Sequence, residues 1–399
     1  MKTATPPVRA ARTDGARIEL EDGRILIDGM SSWWTACHGY NHPHIRAAIA
    51  EQLELMPHIM FGGLSHAPAE RLAARLAAIT PGDLDHVFFS DSGSVCVEVA
   101  MKMAVQYWLN KGLPNRTRFI AFRGGYHGDT LGAMSACDPD EGMHAHFGSF
   151  IPQQIFADLP DTPQRLHALE QLLDQHREEL AGVLIEPLVQ GAGGMRMHIP
   201  ETLKTLADAV QGRGELLIAD EVFTGFGRTG TMFACEQAGI TPDIMCLSKA
   251  LTGGTMGLAA TLARRHVFDA FWADEASKAL MHGPTFMANP LACAAANASL
   301  DLFETEPRLA QVKALEARLK TGLAPLRNAP GVMDVRVLGA IGVVQFVAQV
   351  DSQALRARFV ESGVWIRPFG DIVYLAPAFT ISDAELAALF KALKDVLTA

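Results

Sequence analysis

Two residues of opposite charge, Asp220 and Lys249, follow short apolar runs of the chain. Residues 216–219 are apolar and lead into Asp220, and residues 244–247 are apolar and lead through a serine into Lys249. Apolar runs of this length between turn signals are typical of strands buried on both faces of a parallel sheet. Ligands of open α/β sheets bind at the carboxyl ends of such strands. The sequence therefore predicts an acid and an amine at one ligand-binding edge.

This pair matches the needs of pyridoxal 5'-phosphate (PLP), which uses a lysine for its Schiff base and an acid at its pyridine nitrogen. Residues 91–94, Asp-Ser-Gly-Ser, follow a predicted strand and open a predicted helix. Free N–H groups and the positive helix end favour a phosphate there, although Ser92 or Ser94 would equally serve as an ordinary N-cap. Tyr126, in the glycine-rich stretch 124–128, could stack on a pyridine ring or pack on its own domain.

A different cofactor is suggested by residues 225–230, which spell G-x-G-x-x-G. Four residues separate these glycines from the strand that ends at Asp220, whereas a dinucleotide site needs them directly after the strand. No acid follows at the ~20-residue spacing that binding a ribose requires. We therefore expect no nicotinamide dehydrogenase. Five histidines between residues 38 and 66 lack H-E-x-x-H or comparable spacing, so we expect no metal site.

Two further segments carry groups that a substrate could use. Adjacent tryptophans Trp33 and Trp34 in an extended chain would point to opposite sides, so at least one should face something apolar or cationic. The alternative is that one tryptophan packs in the core and the other in an interface. Arg367 stands in the apolar stretch Trp-Ile-Arg-Pro at 365–368. We interpret that stretch as a strand, in which an arginine needs an anionic partner, either a structural carboxylate or a substrate carboxylate.

Composition excludes several classes of protein. The 399 residues are 49% hydrophobic and carry a net charge of -10 with no lysine- or arginine-rich block, which argues against a nucleic-acid or anionic-membrane surface. The six cysteines form no C-x-x-C pair, so we expect buried thiols in a reducing compartment. Residues 1–12 lack the apolar core of a signal peptide, and the most apolar stretch, 244–263, is interrupted by a lysine and two glycines. We expect a soluble cytoplasmic protein.

The elements that must position these residues alternate between helix and strand. A hairpin is predicted at 18–28, around an Asp-Gly turn. From residue 67 the alternation is typical of βαβ units and a mostly parallel sheet. The predicted helices there are 67–80, 94–111, 163–180 and 201–211, and the predicted strands are 87–89, 119–122, 183–186 and 215–221. Beyond residue 300 the units become smaller, with helices at 307–326, 352–362 and from 383, and strands near 333–350 and 365–376.

These motifs together resemble the class III aminotransferases of PLP fold type I, over nearly the whole chain from about residue 22. The motifs that carry the resemblance lie at residues 28–34, 60–68, 91–95, 126–130, 190–195, 248–254, 282–287 and 363–370. The resemblance implies a large PLP-binding domain at 67–300 with a mostly parallel seven-stranded sheet. It also implies a smaller α/β domain at 301–399, which the N-terminal hairpin and segment 1–66 would join.

The resemblance also implies roles for individual residues. Lys249 would attach PLP and move the proton, Asp220 would keep the pyridine nitrogen protonated, and Tyr126 would stack on the ring. The remaining cofactor residues would be Ser92, Gly93, Val222, Pro284 and Thr285, with Thr285 coming from the partner in a homodimer. The substrate pocket would be formed by Trp33, Trp34, Arg228, Gly283, Arg367 and Tyr374.

For the reaction, the resemblance implies transfer of the amino group of S-adenosylmethionine to 8-amino-7-oxononanoate, a step of biotin biosynthesis. The alternative within the family is an ω-aminotransferase acting on ornithine, GABA or a diamine. A PLP-binding regulator would need a DNA-binding module or a lost lysine, and neither is seen. Family members usually begin with a segment that lends a tyrosine to the pocket; no such motif precedes Ile18, so we expect a truncated start or a differently built lid.

Overall fold

The computed structural model describes residues 7–140 and 146–398. Residues 1–6 of the predicted N-terminal segment and residue 399 of the predicted smaller domain lie outside the described residues. The strands are β1 (Ala10–Asp14), β2 (Arg17–Leu20), β3 (Ile25–Asp28), β4 (His86–Ser90), β5 (Arg118–Phe122), β6 (Ile155–Ala157), β7 (Leu180–Ile185), β8 (Val189–Gln190), β9 (Arg196–Met197), β10 (Leu217–Asp220), β11 (Ile244–Leu247), β12 (Ala259–Ala263), β13 (Val332–Leu338), β14 (Ile341–Phe346), β15 (Val364–Trp365) and β16 (Ile372–Leu375).

The helices are α1 (Ser31–Trp34), α2 (Pro43–Leu55), α3 (Ala67–Ile79), α4 (Gly93–Asn110), α5 (Leu131–Ser135), α6 (Pro163–Gln175), α7 (Pro200–Gln211), α8 (Ala234–Ala238), α9 (Arg265–Asp269), α10 (Pro290–Thr305), α11 (Arg308–Leu323), α12 (Ser352–Glu361) and α13 (Asp383–Leu397). Short 3-10 segments lie at Lys249–Thr252, Ala276–Lys278 and Ala324–Asn328.

The central sheet has seven strands in the order β4-β12-β11-β10-β7-β5-β6. All neighbouring pairs are parallel except those of β12, which runs antiparallel to both β11 and β4. The predicted mostly parallel, seven-stranded sheet is therefore confirmed. Strands β10 and β11 are direct neighbours, with Asp220 opposite Cys246, so the acid and Lys249 leave the sheet at the same edge.

Both faces of this sheet are buried, because alternate side chains of each strand enter different cores. In β10, Leu217 and Ala219 pack into one core with α7 and α10, while Ile218 packs into the other with α4. The same alternation holds for β11, where Met245 and Cys246 enter opposite cores. This two-sided burial is the physical reason why the strands are apolar throughout.

A second sheet joins the two ends of the chain. Its order is β1-β2-β3-β15, and β15 pairs in parallel with β3, placing Val364 opposite Ile27 and Trp365 opposite Asp28. The predicted hairpin at 18–28 is β2 and β3, which are antiparallel. A third sheet, β13-β14-β16, lies in the C-terminal part of the chain. The domain boundaries drawn from the sequence stay a prediction.

Some elements differ from the sequence-based expectation. The helix predicted over 163–180 ends at Gln175, because the chain turns at His176 and Leu180 already begins the buried strand β7. Helices α2 and α10 and the strand β12 were not predicted. Within the described residues, no helix combines the length and apolarity needed to cross a membrane. The six cysteines are buried free thiols, as expected.

Candidate active site

Lys249 lies on a sharp turn that follows β11. Its backbone is left-handed, with φ of 47°, and the turn ends at Gly253 with φ of 60°. The Lys249 amine lies 4.9 Å from the centroid of the Trp34 ring. Desolvation lowers the pKa of Lys249, while the carboxylates of Asp220 and Glu186 act in the opposite direction. The arrangement favours an amine that can give up its proton more readily than an exposed lysine.

Asp220 is held in a fixed orientation at the end of β10. One carboxylate oxygen lies 2.8 Å from Nδ1 of His127, and the other accepts a hydrogen bond from the backbone N–H of Val222 at 3.1 Å. Asp220 and His127 are 5% and 4% exposed. Because an ionised carboxylate can only accept, the bonded ring nitrogen of His127 carries the proton. Asp220 thus has a buried partner that the sequence analysis missed.

Glu186 is the second buried acid of the site, after Asp220, and the sequence analysis missed it. Its two carboxylate oxygens accept hydrogen bonds from the backbone N–H groups of Tyr126 and Gly191, each at 2.9 Å. Burial raises the pKa of Glu186 to about 7, with Asp220 contributing and His127 opposing. A usable signal was present, since Glu186 ends the apolar run of β7 in the same way that Asp220 ends β10.

The N-terminus of α4 forms a cradle at the same edge. Ser92 is its N-cap, and the Ser92 hydroxyl accepts the N–H of Val95 at 3.4 Å. A Cβ on Gly93 would lie 2.8 Å from Val222, so the close approach of the chain to Val222 requires glycine here. The ordinary N-cap and the phosphate-binding interpretation are compatible, because the N-cap leaves other N–H groups of the first turn free.

The acid, the amine and this helix end surround one cavity of about 180 Å³. Its lining residues are Trp34, Ser92, Gly93, Ser94, Tyr126, His127, Gly128, Glu186, Ala192, Asp220, Val222, Phe223 and Lys249. The Tyr126 hydroxyl donates to Asp129 at 2.9 Å, which fixes the ring beside the cavity. An amine, a fixed acid, an aromatic ring and a helix N-terminus together fit PLP. Among the described residues, no three His, Cys, Asp or Glu side chains cluster as metal ligands.

The tryptophan pair is not in an extended chain, so that premise was wrong. Residues 31–34 all have positive φ, between 47° and 71°. Asp28 stabilises this left-handed turn, because its carboxylate accepts the backbone N–H of Met30 at 2.7 Å and of Ser32 at 3.1 Å. Trp34 is 8% exposed and forms a wall of the cavity, whereas Trp33 is 58% exposed.

Arg367 lies beyond the end of β15 and is exposed, so its predicted place within a strand is wrong. Its guanidinium lies over the Trp33 ring at 4.6 Å. Within the described chain, no carboxylate forms a salt bridge with it. Tyr374 is buried behind this region, and its ring centroid lies 6.2 Å from that of Trp34. Trp33, Arg367 and Tyr374 do not line the cavity themselves; the two ends of the chain meet beside Trp34, which does.

Arg228 was predicted as a substrate contact, but the structure places it behind Trp34 and away from the cavity. It is 1% exposed, and it donates to the backbone carbonyls of Pro377 at 2.9 Å and of Trp34 at 3.4 Å. Burial lowers its pKa to about 10. In this position the residue supports the backbone of Trp34 from inside the protein, and the substrate contact expected of it stays a prediction.

The loop that carries Gly283, Pro284 and Thr285 does not line the cavity in a single chain. Thr285 is exposed and is followed by Phe286, which is 56% exposed. A second cavity of about 660 Å³ adjoins the first through Tyr126 and Ala192. Its polar lining includes Asp138, Asp140, Arg196, Gln345 and Asp371.

Known proteins are similar to this chain in sequence and in fold. Residues 1–397 match the family model described as aminotransferase class-III. An adenosylmethionine-8-amino-7-oxononanoate aminotransferase of Corynebacterium glutamicum is 48% identical over 401 residues, which cover 98% of this chain and 94% of the relative. The protein of the same name from Mycobacterium leprae is also 48% identical, over 98% of this chain and 91% of its own length.

Solved structures agree. The crystal structure of adenosylmethionine-8-amino-7-oxononanoate aminotransferase from Methanocaldococcus jannaschii superimposes with a TM-score of 0.93 at 32% identity, covering 98% of this chain and 93% of that one. An amine transaminase from an uncultivated Pseudomonas species, in its PLP-bound form, gives a TM-score of 0.90 at 33% identity, covering 98% and 95%. The family match over nearly the full length and these identities lead to one conclusion: the chain belongs to the class III aminotransferases.

Proposed function

We propose that this protein uses PLP to transfer the amino group of S-adenosylmethionine to 8-amino-7-oxononanoate, giving 7,8-diaminononanoate for biotin biosynthesis. The observation that carries the proposal is the meeting of Lys249, Asp220 and the N-terminus of α4 at one cavity. The choice of substrates is supported by relatives of 43–48% identity that carry this enzyme's name.

Five residues of the cavity would hold the cofactor. Lys249 is the amine that attaches it, and Ser92 and Gly93 at the N-terminus of α4 bind its phosphate. Tyr126 and Val222 would cover the two faces of its ring. When bound, PLP supplies an electron sink that makes a proton next to the amine removable.

The acid and the base of the reaction are supplied by the chain itself. Asp220 holds a proton at the ring nitrogen of the cofactor, and His127 keeps its carboxylate aimed at the cavity. Lys249 accepts and returns the substrate proton, because desolvation lowers its pKa. Glu186 holds the backbone of Tyr126 through its N–H, so the ring is carried by a fixed segment beside the cavity.

The substrates would be bound at the rim. Arg367 is available to a substrate carboxylate, since no carboxylate of the described chain pairs with it, and a guanidinium binds a carboxylate through two parallel hydrogen bonds. The Trp33 ring beneath it presents a face that attracts cations, which suits the sulfonium of S-adenosylmethionine. Tyr374 and Trp34 would complete the apolar wall along the carbon chain.

We also infer a homodimer. Its support is the loop of Pro284 and Thr285, which stands away from the cavity of its own chain and carries exposed apolar side chains, Met281 at 77% and Phe286 at 56%. A partner subunit would cover these side chains and receive Thr285 at its phosphate site. A soluble protein of the cytoplasm remains our expectation for its location.

The test observes the two half-reactions separately. PLP-loaded protein mixed with S-adenosylmethionine alone should lose the visible absorption of the bound cofactor, and later addition of 8-amino-7-oxononanoate should restore it. Lys249→Ala should lack the wild-type band from the start. Bleaching by ornithine, GABA or a diamine with no response to S-adenosylmethionine would instead assign the protein to another ω-aminotransferase activity.

A further inference from the structure

A chain of buried polar groups, none of which lines the cavity, reaches the Lys249 turn. Nε of Arg308 donates to Nδ1 of His38 at 2.9 Å, and Nε2 of His38 lies 3.0 Å from the Ser299 hydroxyl. Ser299 donates in turn to the backbone carbonyl of Ala250 at 3.4 Å. Ala250 is the residue after Lys249. The three side chains come from the N-terminal segment, α10 and the start of α11.

The direction of every hydrogen bond in this chain is fixed by chemistry. A guanidinium has donors only, so Nδ1 of His38 must accept and Nε2 must carry the proton. That proton is directed at Ser299, which leaves the hydroxyl proton of Ser299 for the carbonyl. Desolvation, followed by the nearby charges of Arg308 and His42, lowers the pKa of His38 to about 3, in agreement with a neutral ring. Arg308, His38 and Ser299 are all nearly inaccessible to solvent.

The turn that receives this chain is strained. A left-handed backbone is unfavourable for an ordinary residue, and such a conformation persists only where its surroundings enforce it. Lys249 adopts it, and the turn is closed by the N–H of Gly253, which donates to the same Ala250 carbonyl at 2.9 Å. The His38 ring also packs on Gly253, where an added Cβ would lie 3.2 Å from it.

We propose that Arg308, His38 and Ser299 are positioning residues, which hold the Ala250 carbonyl and thereby set the direction of the Lys249 amine in the cavity. Arg308 is the first residue of α11 and also pairs with Glu306 at 2.8 Å. These hydrogen bonds therefore connect the start of α11 to the backbone next to Lys249. The inference rests on the proposed PLP site.

Two substitutions of His38 separate positioning from packing. In His38→Gln, the amide can place an NH2 group near the position of Nε2 and still donate to Ser299. In His38→Asn, the shorter side chain keeps an acceptor for Arg308 and loses the donor to Ser299.

A second comparison is Ser299→Ala with Ser135→Ala as its matched control. Ser135 is also buried and donates to a backbone carbonyl, that of Gly132, but it lies outside the Lys249 turn.

The measurement is the pH titration of the visible absorption of the PLP-loaded protein without substrate, together with kcat, KM and Tm. We expect His38→Asn and Ser299→Ala to move the titration midpoint by about 0.5–1 pH unit and to lower kcat about 3- to 10-fold, with KM changed less. His38→Gln should lie closer to wild type than His38→Asn. Ser135→Ala should leave the midpoint unchanged even where it lowers Tm.

The opposite pattern overturns the inference. Equal losses of Tm in both His38 variants, with the wild-type midpoint in each, would reduce the chain to a packing role. If His38→Asn does not fold, the comparison of the two serine variants decides the question by the same criterion. A wild-type protein without a Lys249-dependent visible band would instead refute the PLP site itself, so the two failures are distinguishable.

Discussion

At the scale of single residues, the site contains charges whose partners are themselves buried. Asp220 is paired with His127, and Glu186 accepts two backbone N–H groups. Arg367, in contrast, is exposed and rests on Trp33. Buried partners fix a side chain in one orientation, whereas a rim residue with an exposed guanidinium is free to meet a ligand.

Arg367→Ala tests the substrate-carboxylate role. Loss of a charge-assisted contact of roughly 1.5–3 kcal/mol should lower kcat/KM for carboxylate-bearing substrates by about 10- to 150-fold. A simple diamine without a carboxylate should be affected little, and Arg367→Lys should recover part of the loss because it keeps the charge. Steady-state kinetics with both kinds of substrate is the measurement. Similar losses for both would show that the arginine supports the structure around Trp33.

Glu186 should make the stability of the PLP-free protein depend on pH. Its folded pKa of about 7 lies above the ordinary value of 4.5, so between these values the folded state binds more protons than the unfolded state. Stability therefore falls as pH rises through this window, by about 1–3 kcal/mol. Between pH 5 and pH 7.5, the Tm of wild type should fall by more than the Tm of Glu186→Gln. The exposed Glu201→Gln is the control and should follow wild type; a wild-type slope in Glu186→Gln would contradict the assignment.

At the scale of elements, strands bring the functional residues to one edge of the sheet, and turns orient their side chains. Strands β10 and β11 bring Asp220 and Lys249 to the same edge. The final orientation comes from two left-handed turns, at residues 31–34 and at Lys249, which bring the Trp34 ring within 4.9 Å of the Lys249 amine. Each turn is held by buried hydrogen bonds from outside itself, because its own backbone conformation is unfavourable.

Asp28→Asn should loosen the tryptophan turn. One oxygen of Asp28 accepts both the N–H of Ser32 and the hydroxyl of Tyr40, at 3.1 and 2.6 Å, and the other accepts the N–H of Met30. An amide has a single acceptor oxygen, so Asn cannot replace both carboxylate oxygens. We expect kcat/KM to fall by roughly tenfold, while the visible spectrum of bound PLP is preserved. Tyr40→Phe, which removes the hydroxyl alone, should have a smaller effect. A changed cofactor spectrum with unchanged kcat/KM would show that the turn supports the cofactor rather than the substrate.

At the scale of the whole molecule, the site is assembled from both ends of the chain. Parallel pairing of β3 with β15 brings the Trp33 turn next to Arg367, more than 300 residues later in the sequence. The loop with Thr285 remains outside the cavity of its own chain. Both features make the complete site a property of the folded and, as proposed, dimeric protein.

Phe286→Asp should separate the proposed dimer. A charge placed in an apolar contact is costly to bury, so the variant should sediment as a monomer at concentrations where wild type is a dimer, and it should bind PLP more weakly. Analytical ultracentrifugation with a PLP titration is the measurement. Val347→Asp is the control, since Val347 is 74% exposed at the end of the third sheet. A dimeric Phe286→Asp variant with normal PLP affinity would place the interface elsewhere.

Local patterns in the sequence were enough to predict a mostly parallel sheet and the acid–amine pair at its edge. Strands buried on two faces must be apolar along their length, so their ends, and with them Asp220 and Lys249, can be located from local pattern. The helix at 94–111 and its N-terminal serine were likewise visible from local signals. The resemblance to a family added the functions of residues whose own types are not diagnostic.

Contacts between side chains distant in sequence became visible only in the folded protein. His127 and Glu186 join the site because neighbouring strands end at one edge, and the left-handed turn of Trp33 and Trp34 depends on Asp28 and on long-range packing. Arg228 and Arg367 are both arginines near glycine- and proline-containing turns, yet one is fully buried and the other exposed. Burial and hydrogen-bond partners are set by residues distant in sequence, and no local pattern contains that information.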